Sequence, residues 1–122
     1  MSSARDTVEE LEKKTPGAAE DVLYLFLYAM HAAGWTKDAD ALMRQTFEGL
    51  TEVPDDAAAF CKERGILKGD FFHRKPHLSG PDGLRNLDLC VMRLILPLVS
   101  DEEMLEEIRF RLDGYLHAMS RL

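Results

Sequence analysis

The sequence predicts an all-α fold: a single-domain bundle of about five main helices, with a long irregular connector between the fourth and the fifth. Three observations lead there. Apolar residues recur at three- and four-residue spacing through most of the chain. Residues that start and stop helices stand at the ends of those periodic stretches. No run of alternating apolar and polar residues is long enough for a strand. The 122 residues make one ordinary domain, and a composition of 46% hydrophobic and 30% charged residues is too apolar for a disordered chain.

Residues 4 to 14 can form a short polar helix outside the main five, with Val8 and Leu11 its apolar side chains at helical spacing. The first main helix is predicted over 16 to 33, with Thr15 as cap, Pro16 at the first helical position and Gly34 near the end. Its apolar arc, from Val22 and Leu23 through Phe26 to Met30 and Ala33, is wider than a surface helix carries, so it is expected at the centre of the fold. Thr36 caps the next helix, 37 to 50, which the short Gly34–Thr36 link should set antiparallel to its predecessor. Pro54, Asp55 and Asp56 open the helix that is fourth when the N-terminal one is counted, and Gly65 ends it. Residues 65 to 83 hold four glycines and two prolines without periodicity and form the connector, which Phe71 and Phe72 can pin to the core. The next helix is predicted over 84 to 96, ended by Pro97. A Ser100–Glu103 capping box then opens the last, which runs to about 120 on a stripe that includes Met104, Ile108, Leu112 and Tyr115.

A net charge of −7 repels phosphate backbones and argues against nucleic-acid binding. No stretch approaches the roughly 18 apolar residues of a membrane span, and the first residues lack the basic and apolar regions of a secretory leader. Cys61 and Cys90 are too few for a disulfide framework and sit in apolar helical patterns, which favours a reducing, cytoplasmic setting.

Charge is uneven along the chain. Residues 61 to 93 hold seven basic and four acidic side chains, whereas both flanking parts are acidic. Lys62, Arg64, Lys68, Arg74 and Lys75 can gather around the connector to receive a carboxylate, a phosphate group or an acidic protein face, or they can form a solvated loop that offsets the chain's own acidic helices. His73 and His77 are four apart, a zinc spacing on a helix, with Cys61 and Cys90 as conceivable further ligands. Pro76 between the histidines disfavours that helix, and no metal is expected. Cys61 has the basic neighbours Lys62 and Arg64, yet no base or oxyanion arrangement accompanies it, so a packed cysteine is expected. Gly65 to Gly69 is not a phosphate-binding loop, and no enzymatic motif is present.

Two aromatic features remain. Tyr24, Tyr28, His31 and Trp35 fall within about 60° of one another on a helical plot, as a partly buried seam or as a ligand or docking face. Phe110, Gly114 and His117 lie opposite the core stripe of the last helix, where a glycine costs roughly 1 kcal/mol relative to alanine. Such a face lets another helix approach closely, whether from this chain or from a partner. The expected function is therefore that of a small helical protein acting by protein–protein interaction, as an adaptor, accessory subunit or inhibitor. The partner-binding residues would be Lys68, Phe71, Phe72, His73, Arg74 and Lys75 with Phe110, Gly114 and His117; no cofactor is expected, and the last helix could pair two copies as a homodimer. The alternative is a small-ligand or metal sensor with a pocket lined by Tyr24, Tyr28, His31 and Trp35. An enzyme would need an acid-base set drawn from distant residues such as His31 and His73.

Overall fold

The computed structural model describes residues 3–68 and 74–121. Among them are six α-helices: α1 (Ala4–Lys14), α2 (Ala18–Ala33), α3 (Lys37–Phe47), α4 (Ala57–Arg64), α5 (Gly80–Ile95) and α6 (Glu102–Met119), with a 3-10 turn at Ile66–Lys68. Helix α2 has Leu23, Leu25, Phe26 and Leu27 fully buried and packs against all five other helices, because its apolar arc leaves almost no face for water. The N-terminal helix is an integral sixth member rather than an outlying segment. A capping box between Ser3 and Asp6 starts it, Val8 is fully buried, and it packs on α2, α3 and α5.

That helix also finishes two others. Glu12 reaches past the end of α1 and accepts hydrogen bonds from the backbone N–H groups of Gly17, at 3.0 Å, and Ala19, at 2.9 Å, two donors that the start of α2 cannot satisfy itself. Arg5 donates to the Glu48 carbonyl at 2.8 Å and the Gln45 carbonyl at 3.4 Å, where α3 leaves acceptors unpaired and its dipole favours a cation.

Several predicted boundaries shift. Thr15 is the C-cap of α1, and α2 starts two residues later than expected because Gly17, at φ 98°, is in the left-handed region and turns the chain there. Helix α3 ends at Phe47 rather than residue 50. Thr36 caps α3 and left-handed Gly65 closes α4, both as expected. Helix α5 starts at Gly80, not residue 84: Ser79 holds the N-cap position and Pro81 lies in the first turn, so a stretch that reads as a turn is a helix start. The connector is shorter by the same amount. Asp101, not Ser100, caps α6, accepting from the N–H groups of Glu103 at 2.9 Å and Met104 at 3.3 Å. No helix among the described residues is long and apolar enough to cross a membrane.

Candidate functional site

The distal end of the connector is bound to α2 by a carboxylate inside the core. Asp21 lies in the first turn of α2 and is fully buried. Its Oδ1 accepts from Arg74 Nη2 and from His77 Nδ1, the latter at 3.1 Å, which requires the His77 proton on Nδ1. Its Oδ2 accepts from the Leu78 backbone N–H at 2.8 Å. Three donors satisfy both oxygens, as a polar group buried away from water requires. Arg74 also meets Glu20 Oε1 at 3.3 Å and lies over the Tyr24 ring, 5.1 Å from its centroid. Next to them, burial raises the pKa of Tyr24 and of Tyr115, so both phenols stay protonated at neutral pH.

Packing closes the latch from the other side. The His77 ring lies so near Gly17 that a Cβ there would come 2.3 Å from its Cδ2, and Gly17 is also the left-handed residue that starts α2. Pro76 and Leu78 are buried and pin this end of the connector. The expected pins, Phe71 and Phe72, lie outside the described residues, as does His73.

Arg74 therefore corrects an expectation. It is not a solvated cation reaching for a partner, because the buried Asp21 and half-buried Glu20 hold it inward. Lys75 and Lys62 face solvent, Arg64 pairs with Glu52 at 3.3 Å and covers the Phe60 ring, and Lys68 closes the 3-10 turn. Arg64 and Arg74 are each held by an acidic partner of this chain. His77 is engaged with Asp21, and among the described residues no group of three or more His, Cys, Asp or Glu side chains is placed to hold a metal. Cys61 and Cys90 are buried free thiols whose pKa burial pushes up to about 11, so neither is a thiolate at neutral pH.

The four rings near one side of α2 turn to different neighbours rather than to one pocket. Tyr24 meets Phe60 edge-on at 5.8 Å, Tyr28 meets Tyr115 at 5.1 Å, and His31 stacks on Trp35 at 5.1 Å, while Trp35 also meets Phe26. These ring contacts join α2 to its surroundings. Burial lowers the His31 pKa, which keeps that ring neutral at pH 7.

On α6 the opposite holds. Phe110 is 80% exposed, Gly114 and His117 are exposed beside it, and a Cβ on Gly114 would meet no described atom within 4 Å. Neither α1 nor the described part of the connector covers this face. Leu89 of α5 is also 57% exposed, beside a groove of about 260 Å³ lined by Leu11 and Lys14 of α1 and Arg93 of α5.

Asp21 was not among the residues singled out from the sequence. A signal exists: at three- and four-residue spacing it shares a helical face with Ala18, Leu25 and Tyr28, so it sits inside the apolar arc where a carboxylate needs internal partners. Compared with models of known protein families, with curated proteins and with solved structures, the chain matches none of them.

Proposed function

We propose that this chain acts by binding another protein, as an adaptor, accessory subunit or inhibitor, and that it docks through the outer face of α6. One observation supports this above the rest: Phe110 is 80% exposed, whereas Phe26, Phe47 and Phe60 are all buried. An aromatic ring beside a bare glycine offers a large, rigid anchor with room for an approaching backbone, the combination that dominates the centres of interfaces. Lys75 is exposed beside Met119 and Ser120 at the C-terminal end of the same helix. A cytoplasmic setting agrees with two buried thiols that are not joined to each other.

The test is affinity capture from the native source with tagged wild-type chain and with Phe110→Glu. A protein enriched by the wild type should be absent from the Phe110→Glu eluate although both chains melt at the same temperature. Equal capture by the two chains would remove α6 as the docking face.

A further inference from the structure

The exposed face of α6 carries a pattern beyond its three central residues. Glu103, Glu107, Phe110, Gly114 and His117 on α6, with Arg121 two residues past its end, follow one another at spacings of four, three, four, three and four, and all six are exposed. That is the alternation of a coiled-coil seam, and on a helix it forms one straight stripe. The stripe is acidic at its N-terminal end and carries N–H donors at its C-terminal end, with a ring and a gap between them.

Laid antiparallel on a copy of itself, this stripe is self-complementary. Phe110 and Gly114 stand two residues to either side of Leu112, Glu107 and His117 five, and Glu103 and Arg121 nine. One two-fold axis at the level of Leu112 therefore brings each Phe110 ring over the Gly114 of the other copy, each Glu107 opposite a His117 and each Glu103 opposite an Arg121. A two-fold interface makes every such contact twice. A parallel pairing would instead set glutamates against glutamates.

Gly114 is the independent observation. It is not among the glycines with positive φ, and a Cβ there meets no described atom of its own chain, so this fold gives no reason for a residue that weakens a helix interior. A facing Phe110 gives one. The contacts that Glu107 makes with Arg111, at 3.0 Å, and that Arg121 makes with His117, also at 3.0 Å, are exposed i, i+4 contacts, weak enough to be exchanged.

We propose that the occupant of the α6 face is a second copy of this chain, paired as an antiparallel two-helix seam centred at Leu112. This rests on the reading of α6 as the docking face and names its partner. The helical part of the stripe, Glu103 to His117, spans roughly 21 Å, small for a specific interface, so a weak dimer is expected.

Sedimentation of the full chain over a range from about 1 to 500 µM tests it, together with two charge-reversal variants, Glu103→Lys with Glu107→Lys and His117→Glu with Arg121→Glu. The wild type should dimerise with rising concentration, and Phe110→Glu should weaken dimerisation by at least roughly tenfold. Each charge variant should be monomeric with native circular dichroism, and an equimolar mixture of the two should form a heterodimer, since one seam is then basic and the other acidic. Wild type that stays monomeric throughout the range overturns the proposal, as does a folded pair of charge variants that fails to associate, or a Phe110→Glu chain that dimerises like wild type. If the wild type is monomeric while Phe110→Glu still loses a captured protein, the docking face stands and only its assignment to a second copy falls.

Discussion

Asp21 and Phe110 both break the rule that polar groups face water and apolar groups face inward, and they break it in opposite ways. Asp21 is a fully buried carboxylate whose two oxygens take three donors from its own chain. Phe110 is an exposed ring in a helix whose inner face is already filled by Ile108, Leu112, Tyr115 and Met119. The first anomaly is resolved inside the fold and is an architectural joint. The second is left open by the fold and points outward. What separates them is whether the chain itself supplies the missing partners.

The largest effect should come from breaking the joint. Asp21→Ala leaves the buried Leu78 N–H without its acceptor and Arg74 without its main counter-charge, and should cost about 3 kcal/mol, lowering the melting temperature by roughly 10 °C or more. Asp21→Asn keeps an acceptor and should recover about 1 kcal/mol of that. Thermal denaturation followed by circular dichroism reads both; an alanine variant within 0.5 kcal/mol of wild type would make the joint ornamental.

A finer division lies between two adjacent cations of the connector. Arg74→Glu puts a like charge against Asp21 and Glu20 and should destabilise by about 2 kcal/mol or more, while Lys75→Glu, at an exposed site, should stay within about 0.5 kcal/mol. Equal melting temperatures for the two variants would contradict the inward pairing of Arg74. The smallest effect belongs to α6: in dilute solution Phe110→Ser should alter chemical-denaturation stability by less than about 0.5 kcal/mol, because a ring that is 80% exposed has little packing to lose. A loss comparable to that of Asp21→Ala would mean Phe110 is a core residue after all and would erase the contrast.

What could be read from the sequence follows the reach of each interaction. Thr36 and Gly65 act on their own helix ends, so their roles were visible in a local window, as was the apolar arc that makes α2 central. The outward position of Phe110, Gly114 and His117 also follows from periodicity alone. Glu12 and Arg5 complete helices other than their own, and a local reading sees in them only the charges of a short polar helix. Asp21 has an ordinary local explanation, an acid in the first turn of a helix, that conceals its burial. Its partners stand 53 to 57 residues away, which is why Arg74 reads as a loop cation. The start of α5 was hidden differently: Ser79, Gly80, Pro81, Asp82 and Gly83 suit a turn and a helix N-terminus equally well, and Leu78, whose backbone would lie 3.0 Å from a Cβ on Gly83, belongs to the packing that decides between them.

The distance between Asp21 and its partners also orders events during synthesis. The Glu12 contacts span five to seven residues and the Arg5 contact with Glu48 spans 43, all less than the 53 to 57 residues between Asp21 and its partners, so they close shorter loops and precede it during synthesis. Until residues 74 to 78 dock, Asp21 lacks these donors, and burying it would leave its carboxylate unsatisfied. The carboxylate that joins the connector to α2 in the finished core is therefore a penalty on any closure of that flank that leaves residues 74 to 78 out.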